Sequence, residues 1–245
     1  MGSTTTGGGQ MPLLDEEWIK IFQPPSDLRT TKMSELADSL NLSFAESPLL
    51  VKAKVIELKN KHWVGPVFLQ ADSLILVGKD AYLDGAVLQA PQIEIDTGFI
   101  GRLQAMVDWE LVVGTEVDLR YPSVLALNYT SQNINTPRPR VRIGKGSHIE
   151  GFILGLNPHD NDHHPMLSLD EAGFSGRIVW QGGVEANGKM EGSLYCDNFF
   201  YRGKGGQFYF NYLVNFIVDG TSRSNHWVEP MCWPNGEQKV VQWLD

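Results

Sequence analysis

Short apolar stretches recur along the chain at intervals of about 18 residues, as in Ile75-Leu76-Val77, Ile93-Glu94-Ile95 and Leu111-Val112-Val113. Each opens a segment with the same internal order: an apolar strand, a small or polar turn, one inward apolar residue, often a glycine, and a second apolar strand. The fullest copies are residues 76–88 and 142–154, which share a Gly-Lys turn (Gly78-Lys79, Gly144-Lys145) and a glycine ahead of the second strand (Gly85, Gly151). Shorter copies follow Ile95, Leu169 and Val184. A period of this length predicts a coil of short strands in which each turn covers the apolar face of its neighbour. Glycine at Gly78, Gly85, Gly98, Gly101, Gly144, Gly151, Gly176 and Gly192 suits the corners of such a coil. Val87, Leu103, Ile149, Phe174 and Leu194 are the expected inward residues.

The spacing breaks twice. Residues 128–139 and 157–165 are polar, proline-containing insertions that read as loops leaving the coil at a corner. The ends also differ from the middle. Residues 15–22 and 34–40 carry helix-like text separated by Pro24-Pro25, and residues 207–218 form the most aromatic run. The expected organisation is a disordered leader or linker over 1–12, a helical N-terminal cap over 13–49, a β-solenoid over 50–206, and an aromatic C-terminal cap and tail over 207–245. The fold class is all-β. A parallel β-helix is the expected form. The six-residue recurrence of a left-handed one (Val77 and Leu83; Ile143 and Ile149; Val113, Leu119 and Leu125) is not sustained, and a right-handed parallel β-helix is expected on that ground together with the family resemblance given below.

At 245 residues and 42% hydrophobic content the chain can bury one sizeable core. Its net charge of −9 argues against nucleic acid or an anionic membrane as the main partner. No stretch reaches the roughly 18 apolar residues of a membrane-spanning helix. The Gly- and Thr-rich start, Met1 to Gln10, resembles an added leader, so an N-terminal membrane anchor ahead of it is expected to be missing. Cys196 and Cys232 lack metal-ligand spacing and are expected to be separate thiols, the other reading being a single link that staples the tail to the last coil of an exported chain.

The Gly-Lys-x-x-x-(Leu/Ile)-x-Gly repeat over about 67–200 resembles the bactofilins and related polymer-forming bacterial β-helix proteins. The tail, with Asn211-Tyr212-Leu213, Asp219-Gly220-Thr221 and residues 238–244, is similar to membrane-anchored β-helix proteins of bacteria. The resemblance implies a non-catalytic scaffold or interaction protein of the cell envelope or cytoskeleton. It implies self-association or a protein partner reached through the solenoid ends or tail, and no cofactor. An envelope location is favoured, with the cytoplasm as the other reading. The long insertions, the helical N-terminal portion and the aromatic tail depart from the bactofilin pattern, and each could obstruct end-to-end stacking.

Candidate chemistry is sparse. His159, Asp160, Asp162, His163 and His164 offer imidazole and carboxylate donors of the kind zinc or nickel accepts, in an order that matches no helix-borne motif. A polysaccharide-binding or polysaccharide-cleaving β-helix would use carboxylates and arginines along one strand face. Asp84, Asp96, Asp118, Arg102 and Arg120 are the candidates, and Trp180, Tyr195, Tyr201 and Trp227 are possible sugar platforms. A hexapeptide-repeat acyltransferase would need a histidine base, and His148 is the one histidine inside a coil. No catalytic residue is assigned.

Overall fold

The structure, a computed structural model, describes residues 22–24, 28–129, 138–157, 164–203, 205–210, 213 and 215–219. These residues are all-β. In chain order the strands are β1 (Arg29–Thr31), β2 (Ser39–Asn41), β3 (Leu49–Leu58), β4 (His62–Val64), β5 (Val67–Val77), β6 (Tyr82–Ile95), β7 (Ile100–Val113), β8 (Asp118–Asn128), β9 (Arg140–Ile143), β10 (His148–Leu156), β11 (Met166–Arg202), β12 (Phe208–Phe210) and β13 (Phe216–Asp219). Pairing between them is parallel, except that β12 runs antiparallel to the end of β11.

Residues one repeat apart lie side by side, and three ladders result. In the first, Val51, Leu69, Leu88, Ala105, Leu125, Ile153 and Ile178 are successive partners. In the second, Ile56, Ile75, Ile93, Leu111, Val141 and Leu167 follow one another, all fully buried. The third joins Trp63 to Leu83, and then Gly101, Leu119, Ile149 and Phe174 in succession. These columns meet in one continuous core. The backbone closes each corner onto its neighbour: the amides of Gly78, Asp96, Gly114 and Gly144 donate to the carbonyls of Leu58, Val77, Ile95 and Val113 at 2.8–2.9 Å.

Two buried serines complete these corners. Ser147 Oγ donates to the Gly114 carbonyl at 2.8 Å and accepts the Val117 amide at 3.1 Å. Ser123 Oγ donates to the Arg120 carbonyl at 2.6 Å and accepts the Leu103 amide at 3.3 Å. Where Ser123, Gly151 and Gly176 stack, backbones approach too closely for a side chain. A Cβ on Gly151, at φ +138°, would sit 2.0 Å from the Ser123 carbonyl oxygen, and one on Gly176, at φ +146°, would sit 1.9 Å from that of Gly151.

The expected N-terminal helices are corrected where the structure describes them. Residues 34–40 do not form an α-helix; a 3-10 turn at Met33–Glu35 leads into β2, which pairs with β4. Pairing with an existing strand and seating of Leu36 and Leu40 on the core outweigh local helix propensity there. Residues 15–21 lie outside the described set. Phe22 is buried on the outer side of the first ladder, in a second apolar cluster with Val87, Met106, Phe152, Leu154 and Val179.

That cluster also corrects the expectation that Val87 points inward. The register shifts between Asp84 and Ala86, so Ala86 and Leu88 enter the core and Val87 faces out. A one-residue bulge exchanges the two faces of every residue after it. Leu103, Ile149 and Phe174 are buried in the core as expected, and Leu194 packs against it. The first insertion begins later than the composition suggests, since Asn128 ends β8 and Tyr129 is buried in the core. In the aromatic C-terminal region, β12 pairs with Phe200–Arg202, and β13 adds to β11 at Gly188–Glu191. Residues 221–245, with Cys232, lie outside the described set.

Candidate functional site

The outward side chains of the third ladder build a chemically varied surface. Because Leu83, Leu119 and Ile149 point into the core, their neighbours Tyr82, Asp84, Asp118, Arg120, His148 and Glu150 are turned to the other side. Pairing places Asp84 opposite Arg102, Ile100 opposite Asp118, and Asp118 opposite His148.

One strand is longer than its neighbours at this point. Between the pairs Gly101–Leu119 and Gln104–Val124, β7 has two intervening residues and β8 has four. The extra length raises Arg120-Tyr121-Pro122 out of the ladder, and Ser123 pins the base of the bulge through the two hydrogen bonds described above. The result is a groove of about 730 Å³ whose lining includes Tyr82, Arg102, Asp118, Arg120, Tyr121 and Glu150.

Both arginines of the groove are paired with carboxylates. Arg102 is ion-paired with Asp84, and Arg120 Nε lies 3.2 Å from Asp118 Oδ2. Glu150 accepts the Tyr121 amide at 3.2 Å and lies 3.4 Å from His148 Nε2. The Tyr82 ring is stacked on His62, with centroids 4.7 Å apart and planes 21° from parallel. Such an arrangement offers fixed donors, fixed acceptors and aromatic faces, and so it is equipped to hold a polar ligand. Glycoside hydrolysis sets two carboxyls across one bond; here Asp84 and Asp118 are each engaged by a guanidinium.

Of the polysaccharide candidates, Asp84, Arg102, Asp118 and Arg120 are therefore brought together. Asp96 is not: it sits on a corner, where its carboxylate accepts the Thr97 amide at 3.2 Å. Trp180 is corrected as a sugar platform, being fully buried with Nε1 donating to the Pro165 carbonyl at 3.1 Å. Tyr195 is exposed, Tyr201 lies 6.1 Å from Tyr209, and Trp227 is outside the described residues. Tyr82, Tyr121 and Glu150 were not singled out by sequence reasoning. The signal for them is Pro122 inside a strand-like run, together with an interval from Ala105 to Leu125 in the first ladder that is longer than the one from Leu88 to Ala105.

Of the metal candidates, His159, Asp160, Asp162 and His163 lie outside the described residues, and His164 is half-buried beside Pro165. Among the described residues no group of three or more His, Cys, Asp or Glu side chains is placed to hold a metal ion.

Two further groups show electrostatic tuning. Burial opposes ionisation of Glu110, but Arg140 Nε at 2.6 Å, Arg142 at 3.0 Å and the Gln92 amide at 3.2 Å outweigh it and lower its pKa. This cluster ties together three laterally paired strands, β6, β7 and β9. Burial, aided by the charge of Asp197, pushes the Cys196 thiol up to about 12 and keeps it protonated. Among the described residues no helix is long and apolar enough to cross a membrane. No family model matches this chain, and no curated protein or solved structure matches it.

Proposed function

We propose that the chain is a right-handed, single-stranded parallel β-helix acting as a non-catalytic structural scaffold or interaction protein of a bacterial cell envelope or cytoskeleton. The observation that carries this reading is the unbroken column Ile56, Ile75, Ile93, Leu111, Val141 and Leu167, in which each turn of chain supplies one buried aliphatic side chain. A column of that kind makes each turn depend on its neighbours, and the product is a stiff rod. The right-handed form is the one favoured by the bactofilin resemblance and by the unsustained six-residue recurrence, and it accords with the general preference of strand–crossover–parallel-strand connections.

Partner binding is assigned to the C-terminal end of the stack. Phe210, Ile217 and Val218 are 62%, 63% and 54% exposed there, on short strands at the margin of the sheet. Apolar side chains beside a strand edge favour association with another protein or a second copy. Sedimentation velocity of the full chain over a hundredfold concentration range tests this. The expected result is an elongated species that self-associates and loses that association in Ile217→Lys. A compact, concentration-independent monomer that processes a substrate would overturn it.

A further inference from the structure

We infer that the groove beneath the Arg120-Tyr121-Pro122 bulge is a binding site for an uncharged saccharide chain laid across successive turns of the stack. The inference goes beyond the scaffold reading and does not depend on it.

The shape comes first. The groove runs from Tyr82 on β6, past Arg102 on β7 and the β8 bulge, to Glu150 on β10, so it crosses four consecutive turns. Turns stack at the strand spacing of about 4.8 Å, close to the length of one pyranose unit in an extended chain. A linear saccharide lying across the strands can therefore present one ring to each turn. The volume of about 730 Å³ also falls within the range of about 300–1,000 Å³ usual for ligand sites.

The chemistry is selective. Sugar rings offer apolar C–H faces and hydroxyls that both donate and accept. Tyr82, steadied by His62 at 4.7 Å, and Tyr121 on the raised bulge supply aromatic surface for the faces. Guanidinium donors lie beside carboxylate acceptors for the hydroxyls. Fixing these groups in pairs beforehand lowers the ordering cost of binding.

Competing ligands fit less well. A polyanion needs surplus positive charge, whereas Arg102 and Arg120 face Asp84 and Asp118, with Glu150 adding a further carboxylate. A peptide adding as a strand needs a free edge. Around the groove β7 and β8 are each paired on both sides.

The test is calorimetric titration of the full chain with cellohexaose, hexa-N-acetylchitohexaose, mannohexaose and hexagalacturonate. At least one neutral hexamer is expected to bind, in preference to hexagalacturonate. Tyr82→Ala and Tyr121→Ala are each expected to weaken that binding about tenfold, while Thr97→Ala, on a corner away from the groove, leaves it unchanged. Circular dichroism checks that each variant is folded; Tyr121, on the bulge, provides the test if Tyr82→Ala unfolds. The inference is overturned if no neutral hexamer binds at millimolar concentration, if hexagalacturonate binds more tightly, or if folded groove variants bind as well as the parent chain.

Discussion

Replacing Ser147 by alanine removes a single hydroxyl, yet it should be among the more damaging polar substitutions in the chain. The side chain is 1% exposed and bridges two turns, donating to the Gly114 carbonyl at 2.8 Å and accepting the Val117 amide at 3.1 Å. Alanine leaves both backbone groups without this partner, the Val117 amide in a buried position and the Gly114 carbonyl in a part-buried one. An orphaned buried donor or acceptor costs about 1–3 kcal/mol, so losing both contacts costs at most about 2–6 kcal/mol, with the lower half expected because the Gly114 carbonyl is part-buried. A loss of about 3 kcal/mol corresponds to a fall in Tm of roughly 6–12 °C for a domain of this size. The control is Thr115→Ala. That hydroxyl also bridges turns, to Thr97 Oγ1 at 3.4 Å, but the pair is exposed and its loss should cost less than about 0.5 kcal/mol. Urea unfolding followed by circular dichroism reads both variants, and the m value should be unchanged. If Ser147→Ala falls within 0.5 kcal/mol of Thr115→Ala, the assignment of Ser147 as a buried clasp between turns is refuted.

Other perturbations probe other parts of the structure. Gly155→Ala places a methyl 2.3 Å from the Trp180 ring carbons; it should destabilise by about 1–3 kcal/mol and alter tryptophan emission, and unchanged stability would contradict the packing. Leu111→Ala empties one position of the second column and should cost about 2–5 kcal/mol in the same urea assay. Glu110 has a lowered pKa in the folded chain, so its contribution is present above its ordinary carboxylate range and lost as pH falls through the folded value. Stability of the parent chain should therefore drop more steeply on acidification than that of Glu110→Gln, and parallel curves would refute the Arg140–Arg142 cluster as its cause. With Cys232 changed to serine, Cys196 should react slowly with a thiol reagent at pH 8 and accelerate only as pH approaches about 12; fast reaction at pH 8 would show an accessible thiolate.

The repeat was legible because corners and columns leave separate marks on the sequence. Gly-Lys turns at Gly78 and Gly144 and aliphatics at Ile75, Ile93 and Leu111 predict turns about 18 residues long, and these residues do pair one repeat apart. What stayed hidden depends on register and on tertiary pairing. Val87 faces outward because of a bulge at Gly85, and nothing in an alternating pattern announces which residue a bulge will skip. Ser34 to Leu40 carries helix-like text, but the segment extends to pair with His62–Val64, a partner some twenty residues away. The groove follows from two added residues in one turn, visible in the sequence only as an irregular interval around Pro122. Asp84, Arg102, Asp118 and Arg120 were identified by type, whereas their pairing needed the register.

The central claim is that residues one repeat apart lie side by side on parallel neighbouring turns. Thr97 and Thr115 offer the most direct test, with hydroxyl oxygens 3.4 Å apart and the Thr115 amide 3.3 Å from Thr97 Oγ1. In a chain with Cys196 and Cys232 changed to serine, Thr97→Cys with Thr115→Cys should form an intramolecular disulfide under mild oxidation, located by peptide mass mapping, since the separation suits the bond's geometry. Thr97→Cys with Ser168→Cys, separated by several turns, should not cross-link. Failure of the first pair, or equal cross-linking of the second, would contradict the stacking on which the account stands.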